Sequence, residues 1–233
     1  MVRFRAGRLL AWVAGAVVAV AVIAVGGAFI YIHFISGPAP APLSLKPSGA
    51  APAEPVAATG TLAGSWHVAA GSLVGYRVNE VLAGQNNVAV GRTSHVSGTL
   101  TIKGSTVTAA SFTVPMATIA SDESERDAQF NGRIMDTSAY PTSTLVLTAP
   151  INLAPAPAAG VVRTYHATGK LTMHGATRPV TFSLQAERTS AGIEVSGSIP
   201  VLFSDWDISN PSFPPFVTTQ NHGELEFLIK FAS

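Results

Sequence analysis

The chain has 233 residues, of which 12% are charged, with 14 Lys+Arg against 13 Asp+Glu and no cysteine. That charge content is about half of what soluble globular domains carry. The balance disfavours a nucleic-acid binder, and the missing cysteines exclude disulfides, thiolate metal sites and thiol catalysis.

From Leu9 to Ile35 no Asp, Glu, Lys or Arg occurs, and Arg3, Arg5 and Arg8 lie just before the run. A bilayer core needs about 20 such residues. The excess of cations on the N-terminal side then puts the N-terminus in the cytoplasm and the rest of the chain outside. The competing reading is a cleavable signal peptide, whose apolar region is about 7–15 residues. The stretch 36–61 follows, with Pro38, Pro40, Pro42, Pro47, Pro52 and Pro55 among Ala, Ser and Gly. It reads as a semi-rigid extended spacer without chemistry of its own, long enough to hold a domain several tens of ångströms from a bilayer. The expected organisation is an anchor over 1–35, a linker over 36–61 and one domain over 62–233.

In that domain Ser and Thr outnumber the charged residues. Apolar residues recur with period two: Val180, Phe182, Leu184 and Ala186; Ile193, Val195, Gly197, Ile199, Val201 and Phe203; Leu225, Phe227, Ile229 and Phe231; and Leu100 with Ile102. Further strands are expected around Leu73–Glu80, Val107–Pro115, Thr144–Leu153 and Thr164–Met173. The fold class is all-β. About eight antiparallel strands with one apolar face predict a closed barrel or a sandwich. Ser121–Met135 breaks the pattern, because Asp122, Glu123, Glu125 and Asp127 follow Ser121 as they would in a first helical turn. A short helix is expected over Asp122–Phe130, ending near Gly132, with Phe130, Ile134 and Met135 facing the barrel.

Four features carry a resemblance. Trp66 stands near the domain start, and Ser72 precedes the strand SLVGYRV. Arg126-Asp127 leads through Met135-Asp136 to Tyr140-Pro141, and Gly169–Pro179 reads GKLTMHGATRP. In these the domain resembles the YceI-like family of lipid and polyisoprenoid-binding proteins. The chain departs from the family at Gln129 (usually His), Phe130 (usually Leu) and Ile134-Met135 (usually Phe-Phe). Phe203-Ser204-Asp205-Trp206-Asp207 lacks the usual Arg. The resemblance implies an eight-stranded lipocalin-like barrel around a long apolar interior. It also implies an amphiphilic lipid ligand (isoprenoid, quinone or fatty-acyl), a common tendency to homodimerise and no cofactor beyond that lipid.

Candidate chemistry is sparse. Arg126 and Asp127 are read either as a head-group-binding or catalytic pair, or as a structural pair that fixes the helix. His174, beside Gly175, suits a turn-stabilising hydrogen bond better than a base. The six histidines have no metal-ligand spacing. There is no phosphate loop and no nucleophile elbow. The chain is therefore expected not to be an enzyme. The aromatic residues Phe112, Phe130, Phe182, Phe203, Trp206, Phe213, Phe216 and Phe227 are either plain core or the lining of a tunnel. With Val114, Arg126, Met135, Leu147 and Leu184 they supply the expected ligand contacts, namely Phe112, Val114, Arg126, Phe130, Met135, Leu147, Phe182, Leu184, Phe203 and Trp206. A filled barrel serving as a scaffold or interaction module is the alternative, and a lipid-acting enzyme is a third reading.

Overall fold

The computed structural model describes residues 39–45, 62–82, 84–215 and 217–233. The apolar run Leu9–Ile35, most of the proline-rich stretch and Phe216 lie outside them. Among the described residues no helix is long and apolar enough to cross a membrane.

The described residues form twelve strands of one antiparallel sheet: β1 (Gly64–Val68), β2 (Leu73–Leu82), β3 (Gln85–Thr93), β4 (Ser97–Lys103), β5 (Thr106–Pro115), β6 (Thr142–Leu147), β7 (Ile151–Asn152), β8 (Arg163–Met173), β9 (Ala176–Thr189), β10 (Gly192–Leu202), β11 (Val217–Thr219) and β12 (His222–Ala232). Eight of them close a ring in the order β1-β4-β5-β6-β8-β9-β10-β12. The seam is short: His67 pairs with Ala232 and Val68 with Phe231. Closure removes the unpaired backbone edges that an open sheet would expose.

Where β1 ends, β2 takes its place beside β12, from Leu73 opposite Leu228 to Arg77 opposite Glu224. The hairpin partner β3 extends the wall. Arg92 on β3 and Ala120 exchange backbone hydrogen bonds of 2.8 and 3.1 Å, so the loop after β5 completes that side.

Period two locates the inward rows correctly in β9, β10 and β12, where Val180, Phe182, Ile193, Ile199, Val201, Ile229 and Phe231 are buried. β1 and β3 escape the pattern. The first is five residues long, and the second opens on Gln85-Asn86-Asn87. The expected strand Thr144–Leu153 is two strands, β6 and β7, with Thr148–Pro150 between them.

The helix is shorter than expected. α1 covers Ser124–Gln129 and passes into a π-type turn over Phe130–Ile134. Ser121 does not cap it, because its hydroxyl donates to Asp127 Oδ1 at 2.7 Å and accepts the Glu123 N–H at 3.2 Å. Residues 121–123 are thereby held as a loop, and Glu123, in extended conformation, is the residue from which the helix starts. In the π turn the Met135 N–H reaches back five residues to the Phe130 carbonyl, 2.9 Å away. Phe130 and Met135 are both buried there, in the core cluster expected to receive them, with Ile134 packed against it.

Candidate functional site: an apolar cavity with a charged rim

The barrel is hollow. A cavity of about 930 Å³ runs between the inward rows of the sheet. Its wall includes Val74, Val78, Leu100, Ile102, Leu145, Leu171, Ile199 and Ile229, and most of its surface is apolar. Nine of the ten ligand contacts expected from sequence lie on it: Phe112, Val114, Arg126, Phe130, Met135, Leu147, Phe182, Leu184 and Phe203. Trp206 does not. It ends the short 3-10 turn Phe203–Trp206, is 3% exposed, and its indole N–H has no partner among the described residues. It lies outside the period-two row that ends at Phe203, and it is buried in the core cluster. Phe213 and Phe227 also border the cavity, although Phe213 is 65% exposed.

So many rings leave a cavity because several lie flat on the wall over glycines. Tyr76 stands directly opposite Gly91, Phe112 opposite Gly98, and Phe227 opposite Gly197. A Cβ at Gly91 would come within 2.4 Å of the Tyr76 ring, at Gly98 within 2.6 Å of Phe112, and at Gly197 within 2.8 Å of Phe227. Each ring occupies the place of its neighbour's missing side chain, and the lumen stays open. Phe182 and Phe227 meet edge to face at 5.9 Å.

The cavity is polar at the end where α1 sits. Glu80, Glu123, Glu125, Arg126, Gln129 and Arg133 border it there. The Arg126 guanidinium pairs with Asp122 and, at 3.7 Å, with Glu80. Arg133 donates to Gln129 Oε1 at 3.0 Å and to the Pro211 carbonyl at 3.2 Å. Tyr76 stacks on Phe130 with centroids 5.2 Å apart. Burial pushes its hydroxyl up to about 12, Arg126 opposes the shift, and Asp127, Glu80 and Asp122 reinforce it.

The two candidate catalytic groups are turned to other work. Asp127 accepts the Ser121 N–H at 2.8 Å as well as its hydroxyl, tying the loop before α1 to the helix. His174, at φ 50°, uses Nδ1 to donate to the Trp206 carbonyl at 2.9 Å and packs on Tyr140 at 4.7 Å. It sits off the cavity wall, in the turn between β8 and β9. Among the described residues no group of His, Asp and Glu could hold a metal ion.

Tyr76, Glu80, the inward glycines and the rim residues Glu123, Glu125, Gln129 and Arg133 are among the site residues that sequence reasoning missed. The parity of SLVGYRV, with Val74, Tyr76 and Val78 in one row, could have found Tyr76. An inward glycine opposite an aromatic is visible only once the register is known.

Two solved structures share the fold. A polyisoprenoid binding domain from Saccharophagus degradans, implicated in plant cell wall breakdown, aligns at a TM-score of 0.60 and 14% identity, covering 72% of this chain and 98% of its own. BcnA of Burkholderia cenocepacia aligns at 0.53 and 22% identity, covering 68% and 96%. No curated protein sequence matches the chain. The model of the YceI-like domain matches residues 66–231, a span that holds the whole closed ring except the first residues of β1 and the last of β12, and the chain belongs to the YceI-like family.

Proposed function

We propose that this chain is a non-catalytic binding protein of the cell envelope that holds a long-chain isoprenoid, quinone-type or fatty-acyl lipid in its barrel. The observation that carries this reading is the cavity: about 930 Å³, mostly apolar, with a group of charged residues at its α1 end and Glu187 and Arg188 bordering it near the β9–β10 hairpin. That volume is at the upper end of ordinary ligand pockets, about 300–1,000 Å³. Each methylene buried contributes about 0.8 kcal/mol, so a long chain needs few polar contacts. The filled-barrel alternative requires the space to be occupied by side chains, and here it is not.

The rim bears on the polar end of the ligand. Glu80, Asp122, Glu123 and Glu125 outnumber Arg126 and Arg133, and Arg126 is already paired with two carboxylates. A phosphate or carboxylate head at the α1 end would meet net negative charge, so at that end a neutral head such as a quinone or an alcohol fits best. The non-catalytic reading is supported by the structural use of Asp127 and His174. The placement outside the cytoplasm, with Leu9–Ile35 as the anchor, follows from Arg3, Arg5 and Arg8 ahead of that run.

Native mass spectrometry of the full chain in mild detergent, followed by solvent extraction, tests the reading. A co-purifying lipid, or uptake of an added polyprenol or quinone, is expected. Neither appearing would sink it. Ala110, inward on β5 opposite Leu100, gives a sharper version. Ala110→Trp fills the lumen and should lower lipid occupancy at least tenfold. Its stability cost should fall below the 1–3 kcal/mol, roughly, of overpacking a dense core, because the space is already empty.

A further inference from the structure

Residues 39–45 lie against the outer face of the barrel, where an extended spacer was expected. Arg77 and Arg92 each donate through Nη2 at 2.5 Å, to the carbonyls of Pro40 and Ala41. The Leu43 N–H donates to Glu226 Oε2 and the Leu45 N–H to Ser196 Oγ, both at 3.2 Å. The cleft thus spans β3, β2, β12 and β10, and it reads main chain. The side chains of Pro40, Ala41 and Pro42 are exposed, whereas Leu45, Glu226 and Ser196 are buried. Pro40 and Pro42 have no N–H to satisfy and hold the backbone extended, so the segment gives up little conformational freedom on docking.

We propose that this cleft is a docking site for residues 39–45 and that the proline-rich stretch works as a clasp, fixing the barrel close to whatever precedes residue 39. Four Cα steps separate Ile35 from Ala39, at most about 14 Å of chain. If Leu9–Ile35 spans a bilayer, a point that rests on the reading above, the clasp holds the lipid-binding barrel at the membrane surface. A free spacer of the same length would let it range over several tens of ångströms.

The absence of native cysteine makes a direct measurement simple. Nitroxides on Ala39→Cys and Lys103→Cys, both exposed positions, report the distance between segment and barrel in the full chain in nanodiscs. A single narrow distance distribution is expected. Adding Leu43→Pro and Leu45→Pro removes both N–H donors without touching the barrel and should broaden the distribution severalfold. Pro42→Ala, which leaves every bonded group in place, should keep it narrow. A wild-type distribution as broad as that of the double-proline variant overturns the proposal, as does a narrow distribution that survives both prolines. The readout does not depend on lipid uptake by the cavity, so failure of the clasp and failure of the lipid-binding reading are separately visible.

Discussion

Two three-membered charge clusters use the same chemistry in opposite arrangement. On the outer face one carboxylate, Glu226, stands between two guanidiniums, Arg92 at 2.7 Å and Arg77 at 3.4 Å. At the cavity rim one guanidinium, Arg126, stands between two carboxylates, Asp122 and Glu80. They differ in solvent. Glu226 is 3% exposed, while the Arg126 side chain keeps 20% and Asp122 50%. A buried charge depends on its partners, because the alternative of hydration has been removed; an exposed one does not. The outer cluster should therefore behave as structure, and the rim cluster as an adjustable surface bordering the cavity.

The largest effect expected from this difference is at Glu226. Glu226→Ala leaves two cations facing each other and frees the Leu43 N–H. Removing one member of a buried pair costs about 3–5 kcal/mol. Arg77 and Arg92 retain some solvent contact, so about 3 kcal/mol is expected, read as a lower urea midpoint at unchanged slope. A loss below about 1 kcal/mol would erase the distinction between the clusters.

Tyr76 sharpens the rim side of the comparison. Its hydroxyl is held up to about 12, first by burial and then by the rim carboxylates. The unfolded chain ionises near 10. Between those values the unfolded state loses its proton and the folded state keeps it, so the stabilisation is complete below pH 10 and disappears as pH rises through 12. By pH 11 wild type should have lost about 1.4 kcal/mol more than Tyr76→Phe. Paired denaturation curves at pH 9 and pH 11 check this. Parallel losses in the two proteins would mean the hydroxyl is open to water.

The clusters also show what the sequence makes legible. Strand parity, the Ser121–Met135 segment and the GKLTMHGATRP motif lead to the barrel and to nine wall residues, because all three are properties of short stretches. Parity equally marks Glu226 as one more outward polar residue between Leu225 and Phe227. Besides Arg77 and Arg92, its partner is the Leu43 N–H, 183 positions earlier in a segment whose composition reads as spacer. Nothing local announces such a contact. The hollow lumen was hidden for a similar reason: it depends on pairings such as Tyr76 with Gly91, and those exist only once the register is set. Trp206, grouped with the aromatic residues and not by strand parity, lies in a 3-10 turn past the end of its strand and packs into the core.

The smallest stability effect should come from Arg126→Gln. Solvated pairs such as Arg126–Asp122 contribute about 0–1 kcal/mol, given how exposed Asp122 is, and the less exposed Glu80 is held only at 3.7 Å. A shift under about 1 kcal/mol is expected, shrinking further as salt is added. Binding should respond more than stability does. Without Arg126 the rim keeps Glu80, Asp122, Glu123 and Glu125 against Arg133 alone, so uptake of a carboxylate- or phosphate-headed lipid should fall while uptake of a neutral polyprenol or quinone of equal chain length stays level. The ratio of the two, measured in one competition experiment at low salt and again at high salt, isolates the head-group contribution from that of the chain, because the chain lies in a wall that Arg126→Gln leaves untouched. Equal losses for both heads would mean that Arg126 holds the rim in shape, and the contrast with Glu226 would then be one of degree.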